Sequence, residues 1–593
     1  MKRQLPQKDW MRFRFFLFIL GFLVAFGMIA LQAYRIQIYH GIWLSQEANK
    51  LYQRQITLVP TRGSIFDRNG EDLAITIPVD SIYARPQKIE DPASTAKQLS
   101  EVLEMDRADV LEKLFMDRPF VWIKRQVVPT VSARVRNLGN PGIGVIQETR
   151  RFYPNLELAC HLLGFVGVDG KGLEGLEFYY DRLLQGEESR VMVDVDAWGR
   201  TLAPRDGLIV ARRDGDSLVL TVHKEIQYVA EHNLEAAVVA TGSRGGMVVV
   251  LNPKTGEILA MANVPRFNPN TFRRYPQELL RNRSVTNTYE PGSTIKPFVV
   301  AAVLEEKAGE PSDVVFCENG SFRVFDQVIH DVGRHGWLSI RRIIKQSSNI
   351  GAAKLGLSLG AERLHDYFKR FGFARATGID LPGEAVGIMR PSNMWSPVDL
   401  ATISFGQGIS ATALQMAVAF AALGNNGRLM KPFVVKELLD ASGNTVERHS
   451  PEDLGPMVSP ETAHQITKML IDVVSEGGTG SRAAIEGYEI AGKTGTSQRA
   501  DLSSGGYQQG RYMASFAGYA PADDPTLCIL VVLEEPQGNV LGGQIAAPVF
   551  REIAREALII LGIYPDERLL AMASGSGAET EHGTGPILRS NEH

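Results

Sequence analysis

The chain has 593 residues, 44% of them hydrophobic, with 63 basic and 67 acidic side chains and a net charge of -4. That length predicts more than one domain and a substantial core. The balanced charge, with no dominant basic tract, excludes a nucleic-acid binder held by electrostatics.

From Phe15 to Tyr34 there are 20 residues without a charge, twelve of them Phe, Leu, Ile or Val. That is the length of one bilayer-spanning helix. A cleaved signal peptide has a shorter apolar region and a small-residue cleavage site, neither of which is seen here. Lys2, Arg3, Lys8, Arg12 and Arg14 precede the span and only Arg35 follows closely. The positive-inside bias therefore predicts a cytoplasmic tail over 1–14, an anchor over 15–34 in the cytoplasmic (inner) membrane, and an extracytoplasmic, periplasmic remainder.

Residues 35–58 read as a polar helix or stalk. In "TRGSIFDRNGEDLAIT" (61–76), Asn69-Gly70 predicts a hairpin with a tight turn. A mixed pedestal region spans 59–225, and its 151–186 stretch is rich in glycine and aromatics, which predicts tight turns and close packing. Residues 223–241 carry a helical period. Residues 245–263 read as two strands around a turn, 514–536 as a hairpin turning at Pro521-Ala-Asp-Asp-Pro525, and 545–563 as a helix. Hairpins alternating with helices over 226–566 predict an α/β (α+β) fold with an antiparallel sheet flanked by helices. The Gly/Ser/Glu-rich stretch 567–593 reads as a disordered tail.

Three widely spaced cysteines, Cys160, Cys317 and Cys528, form no CxxC or Cys/His cluster. They indicate neither a zinc site nor a disulfide framework, and at most one disulfide could form. The histidines are scattered, so no metal and no cofactor is expected. Trp337 and Trp395 read as packing residues, and Tyr507 and Tyr512 as residues that line a cleft.

Ser293-Thr-Ile-Lys296 follows a Pro-Gly turn and opens an apolar helical run. A serine there is ordinarily an N-cap and a lysine after it a solvated charge. Yet a lysine in the first turn opposes the positive end of the helix dipole. Two further elements change the reading: Ser347-Ser-Asn349 and, later, Lys493-Thr-Gly-Thr496. Each alone is common; the three in this order point to acyl transfer by an activated serine. A neutral serine hydroxyl needs a base. Lys296 can be that base if burial, the helix terminus and a second cation, Lys493, lower its pKa. Ser347 could relay a proton to a leaving amine. Asn349 could donate to a substrate carbonyl and hold Lys296. Lys493 with the Thr494 and Thr496 hydroxyls could bind a carboxylate on a strand edge, and Gly495 would let a substrate backbone approach. Backbone N–H groups of Ser293 and Thr496 could form an oxyanion hole.

Gly487 to Thr494 also matches the phosphate-loop pattern G-x-x-x-x-G-K-[ST]. That loop must follow a strand and open a helix, whereas Tyr488-Glu-Ile-Ala491 reads as strand, so the match is rejected.

With these motifs, and with "RGSIFDRNG" (62–70), "GFVGVDGKGLEGLE" (164–177), "RNRSVTNTYEPGSTIKPF" (281–298), "SFGQG" (404–408) and "GGQIAAPVF" (542–550), the chain resembles class B penicillin-binding proteins, monofunctional peptidoglycan D,D-transpeptidases, from the anchor to about residue 563. The resemblance implies that Ser293 attacks the penultimate D-Ala carbonyl of a stem pentapeptide. A neighbouring stem amine then takes the acyl group, and β-lactam antibiotics acylate the same serine. It also implies a non-catalytic pedestal that meets a membrane glycosyltransferase and other division proteins. The short link between "GFVG" and "GLEG", and the absence of further C-terminal modules, favour a division-type over an elongation-type member. A serine β-lactamase would add a Glu-x-x-Leu-Asn element, which is not found between Asn349 and Lys493, and a penicillin-sensing receptor would add membrane helices. A scaffold with little turnover is the remaining alternative.

Overall fold

The structure, a computed structural model, describes residues 7–58, 60–187, 189–194, 214–500, 506–567 and 569–570. Lys2 and Arg3, and nearly all of the 567–593 tail, lie outside the described residues. The chain divides into two compact units, one of residues 1–60 and 186–214, the other of 61–185 and 215–593.

In the first unit a helix, Gln7–Tyr34, runs on through a wider turn, Arg35–Tyr39. Within it lies one segment, Trp10–Tyr39, long and apolar enough to cross a membrane, with a mean hydropathy of 2.4. Its large apolar side chains, such as Phe18 and Phe26, are exposed all round, as a lipid-facing helix requires. Within 35–58 the expected helix is Gly41–Tyr52, and it ends there. Gln53–Leu58 is a strand, paired antiparallel with Ser189–Asp194. Its partner lies more than 130 residues on, so no local pattern announced it.

The second unit carries two main sheets. In the pedestal, Ile65–Phe66 and Asp72–Ala84 form the expected hairpin. The turn differs from a two-residue Asn-Gly turn: Asp67 Oδ1 accepts from the N–H groups of Asn69 (2.8 Å) and Glu71 (2.9 Å), and Gly70 supplies the left-handed conformation with φ +85°. Asp72–Ala84 pairs with both Val121–Val127 and Ile143–Phe152. On its other side the sheet continues through Ser217–Leu220 to Val435–Leu439 and Thr445–Arg448. Strands from the second half of the chain thus complete the pedestal sheet. The glycine-rich segment packs as expected: a Cβ at Gly164 would fall 1.8 Å from the Glu174 carbonyl oxygen.

That close packing encloses a carboxylate. Glu177 is fully buried and accepts from Arg62 Nε (2.7 Å), Arg151 Nε (2.5 Å) and the Tyr153 hydroxyl (3.2 Å). Burial alone would raise its pKa, but the two guanidiniums outweigh burial and hold it below the ordinary glutamate value.

The other main sheet is five-stranded and antiparallel, ordered Ile258–Val264, Gly245–Leu251, Leu527–Glu534, Tyr507–Ala520, Ala491–Ala500. Strand alternation sorts its side chains into two cores. Val248, Val250, Ala514 and Phe516 pack with Ile226 and Leu234 of the helix Lys224–Thr241 and with Phe550 of the helix Gly542–Ile560. Met247, Val249, Met513, Ala517 and Tyr519 pack with a helical cluster containing Phe298 and Phe420. Because both faces are covered, Gly245–Leu251 is buried throughout, which explains its uninterrupted apolar run. The helix, hairpin, helical cluster, hairpin, helix order read from the sequence is the order observed. The phosphate-loop match is excluded, since Lys493 and Thr494 lie within a strand and open no helix. Cys160, Cys317 and Cys528 are buried free thiols.

Candidate active site

Gly292–Ile295 form a single 3-10 turn that leads into the helix Lys296–Glu305. The glycine before Ser293 is a steric requirement. Gly292 has φ +55°, and a Cβ there would come within 3.0 Å of the Thr496 carbonyl oxygen. On its other side Gly406, of the "SFGQG" segment, lies so close that its own Cβ would sit 2.2 Å from the Gly292 oxygen. The serine turn is therefore clamped between Gly406 and the Lys-Thr-Gly strand.

Lys296 is completely buried. Its Nζ donates to the Ser347 carbonyl oxygen (2.5 Å), to Asn349 Oδ1 (2.8 Å) and to Ser347 Oγ (3.3 Å). Burial lowers its pKa to about 7, against a smaller opposing pull from Asp331. Lys493 is also completely buried and donates to Ser347 Oγ (2.9 Å) and the Thr494 carbonyl oxygen (3.1 Å). Its pKa is pushed well below the lysine range by burial and by the Lys296 charge. The sequence reading expected burial, the helix terminus and Lys493 together to lower Lys296; burial is the first cause at both lysines, and repulsion between the two amines adds to it at Lys493. Two ammonium groups sharing one hydroxyl in a dry site do not both keep their protons. Ser347 Oγ accepts from both amines, which leaves its own proton free to donate.

Ser347 is held by a break between two helices. It ends Ile340–Gln346 in the left-handed conformation (φ +58°), and Ser348 caps the start of Asn349–Leu359. A non-glycine residue in that conformation is a local strain of the kind kept at functional sites. The break turns the Ser347 carbonyl and hydroxyl toward Lys296. Asp331 pins it: its carboxylate accepts from the N–H groups of Asn349 (2.5 Å) and Ile350 (3.0 Å) and from Ser348 Oγ (2.6 Å). Asp331 was missed in the sequence, where a lone Asp-Val-Gly between strands gives no signal beyond a turn.

Other assignments need adjustment. Asn349 holds Lys296 as expected, but one N–H of its amide is already donated to the His330 carbonyl (2.9 Å). Gly495 lies on the edge strand, yet what requires glycine there is the protein itself: a Cβ would meet Ser515 Oγ at 2.3 Å and Thr294 Cγ2 at 2.8 Å. The Thr494 hydroxyl is 3.0 Å from that of Thr479, and Thr496 Oγ1 accepts from the Gly542 N–H (3.1 Å). Among the described residues Ser293 Oγ has no hydrogen-bond partner; the geometry gathers Lys296, Ser347, Asn349 and Lys493, with Ser293 one turn before Lys296. Tyr507 reaches Glu290, three residues before Ser293, with its hydroxyl 3.5 Å from Oε1. Tyr512 pairs with Gln498 beside the edge strand. Trp395 is packed, its Nε1 donating to the Arg390 carbonyl. Trp337 is not: it is 66% exposed and leans on Phe316 at the surface.

A buried lysine of lowered pKa one turn from a clamped serine, with a second buried amine nearby, is an arrangement that can activate a serine for acyl transfer. Residues 246–555 match the model of the penicillin-binding protein transpeptidase domain, and residues 57–220 that of the penicillin-binding protein dimerisation domain. The chain is 36% identical to stage V sporulation protein D of Bacillus subtilis over 93% of its length and 86% of the relative's. It is 33% identical to peptidoglycan D,D-transpeptidase FtsI of Escherichia coli, over 95% of each. Among solved structures it resembles penicillin-binding protein 3 of Mycobacterium tuberculosis complexed with aztreonam, with a TM-score of 0.67 and 29% identity, covering 86% of this chain and 98% of that one. The chain belongs to the class B penicillin-binding proteins.

Proposed function

We propose that this protein is a septal peptidoglycan D,D-transpeptidase that works through an acyl-enzyme on Ser293. The observation that carries the reading is Lys296: an amine with a pKa of about 7, fully buried and one helical turn from Ser293. As a neutral base it takes the Ser293 proton while Oγ attacks the penultimate D-Ala carbonyl. The oxyanion forms against the N–H groups of Ser293 and Thr496, whose chain segments lie in contact. Collapse of the tetrahedral intermediate breaks the D-Ala–D-Ala bond. The leaving amine takes its proton from Ser347 Oγ, which is refilled from Lys296 or Lys493. The acceptor stem's amine then attacks the ester, and its proton returns by the same route. The substrate's terminal carboxylate sits near Lys493, Thr494 and Thr496. Its negative charge opposes the burial and repulsion that lower the Lys493 pKa, so carboxylate binding and Lys493 protonation are coupled. A β-lactam presents the same carbonyl and carboxylate and leaves a stable ester.

In this reading residues 15–34 anchor the chain with its N-terminus in the cytoplasm, 59–225 form the pedestal that meets a membrane glycosyltransferase, and 226–566 catalyse outside the membrane. The short turn between "GFVG" and "GLEG" supports the septal role; it is closed by the Gly167 N–H to Lys171 oxygen bond (2.8 Å). The test is covalent labelling of the detergent-solubilised full chain with a fluorescent penicillin, the adduct being mapped by mass spectrometry. A stable adduct on Ser293 is expected. A missing adduct would leave a scaffold, and a short-lived one a β-lactamase. Depletion in the host is expected to block septation; rounding of cells would point instead to elongation.

A further inference from the structure

The loop that follows the helix Pro460–Val474 takes no part in the chemistry above, yet it touches both walls of the site. Its segment Ser475–Gly480 is held first by the helix that ends at Ser347. Lys345 Nζ donates to the Glu476 carbonyl oxygen (2.9 Å) and to Ser475 Oγ (3.2 Å), and Gln346 Nε2 donates to the Gly477 carbonyl oxygen (3.3 Å). One turn earlier on that helix, Arg341 donates to Asp472 (2.9 Å). At its other end the loop meets the strand of Lys493. The Thr479 hydroxyl lies 3.0 Å from that of Thr494. A Cβ at Gly543, in the first turn of Gly542–Ile560, would come 2.1 Å from the Thr479 carbonyl oxygen. The Gly480 N–H closes the loop back onto the Val473 carbonyl oxygen (2.9 Å). The loop is therefore a strap between Ser347 and Lys493, whose Oγ and Nζ are 2.9 Å apart.

That strap is made mostly by backbone atoms, and it leaves the Thr479 hydroxyl unexplained. The hydroxyl reaches Thr494 Oγ1, to which Lys493 Nζ also donates at 3.3 Å. A threonine hydroxyl has two lone pairs and one proton. With Lys493 on one lone pair and Thr479 on the other, the Thr494 proton is turned away from both. It is then free for the terminal carboxylate of the substrate, which needs a donor.

We propose that Thr479 is a positioning residue for carboxylate recognition: its hydroxyl donates to Thr494 Oγ1 and thereby aims the Thr494 proton at the carboxylate that substrate and β-lactam share. This rests on the transpeptidase reading and adds to it a residue that acts on the substrate only through another. Without the Thr479 bond the Thr494 O–H rotates, and it meets the carboxylate in only part of its orientations.

The test is stopped-flow acylation of the detergent-solubilised full chain by a penicillin and by its methyl ester, which keeps the reactive carbonyl and loses the carboxylate charge. In Thr479→Val the acylation efficiency with the acid should fall about fivefold, the scale of one hydrogen bond, while that with the ester stays within about twofold. The loss should lie in the concentration that gives half the maximal rate and not in the maximal rate itself, because the residue acts on binding. Thr479→Ser keeps the hydroxyl and should keep the wild-type ratio of acid to ester. That ratio is taken within one preparation, so a variant that folds in lower yield is still read. Thr494→Val should lower the ratio by itself, and adding Thr479→Val should lower it no further. Equal losses with acid and ester, an unchanged ratio in Thr479→Val, or additive losses in the double variant would each overturn the assignment and leave Thr479 a packing residue. Wild type that no penicillin acylates would remove the transpeptidase reading, and this assignment with it.

Discussion

In the pedestal, Glu177 is enclosed with two guanidiniums and a tyrosine hydroxyl; in the cleft, Lys296 and Lys493 are enclosed with each other. Both clusters are fully buried, yet their charges are arranged in opposite ways. Around Glu177 the partners are opposite in sign and hydrogen-bonded, so the carboxylate stays charged and its pKa falls. Around Ser347 Oγ the two amines are alike in sign: burial lowers the proton affinity of both, and repulsion by Lys296 lowers that of Lys493 further. A protein can bury charge for stability by pairing it, or for reactivity by withholding the pair. Removing a member should therefore hurt stability in the first cluster and chemistry in the second.

The largest effect is expected at the cleft. Ser293→Ala should abolish covalent penicillin labelling. Lys296→Ala should slow acylation by about 10³-fold or more, since it removes the base. Neither should lower the melting temperature much, because the lysine's burial is a cost to folding that its removal relieves. Stopped-flow acylation with thermal unfolding checks both halves; a Lys296→Ala variant that acylates at the wild-type rate would sink the assignment.

The pedestal should respond the other way. Glu177→Ala leaves buried Arg151 without its carboxylate and Arg62 with Asp181 alone, and should cost about 3–5 kcal/mol of stability. The fraction that remains folded should still acylate at the wild-type rate. Denaturant unfolding together with labelling of the soluble fraction would show it, and a variant as stable as wild type would contradict the paired-charge account.

The pH response separates the clusters again. Acylation should rise about tenfold per pH unit below pH 7 and level off above it, as Lys296 loses its proton near 7. Stability follows the same sign in two different pH windows. The folded Lys296 binds its proton more weakly than the unfolded chain does, so its contribution grows as pH rises from about 7 toward the ordinary lysine value. The folded Glu177 has a depressed pKa, so its contribution is present above the unfolded glutamate value and is lost as pH falls through the folded one. Rate profiles and urea midpoints across pH test the two together; a rate flat through pH 7 would remove Lys296 as the titrating base.

The same contrast explains what was legible in the sequence. The five-stranded sheet and its flanking helices were readable because apolar periods of two and of 3.6 are local. The candidate site residues were readable because three short motifs carry their own chemistry. What escaped was made by distant partners. The strand Gln53–Leu58 has its mate beyond residue 188, and the pedestal sheet borrows Val435–Leu439 from far along the chain. Gly495 was assigned to substrate approach, whereas the side chain that would crowd its Cβ first belongs to Ser515 on the neighbouring strand. Arg62, Arg151 and Glu177 stood within familiar segments, but nothing local said that they meet. Asp331 was invisible for the same reason.

Asp331 gives the smallest and most discriminating prediction. Its carboxylate does two things at once: it caps the Ser348–Asn349 turn and it favours a charged Lys296. Asp331→Asn keeps a side-chain oxygen for the backbone N–H groups, removes the charge, and turns the acceptor facing Ser348 Oγ into a donor. Without that charge the Lys296 pKa should fall further, moving the midpoint of the acylation profile to lower pH by a fraction of a unit while the plateau rate changes less than about threefold. Asp331→Ala removes the cap as well, and loosens the turn that aims Ser347 and Asn349 at the lysine; the plateau itself should then drop about tenfold or more. Side-by-side pH profiles of the two variants separate charge from positioning. A midpoint that moves upward in Asp331→Asn would contradict the assigned sign, and equal plateaus in Asn and Ala would mean that the turn holds itself.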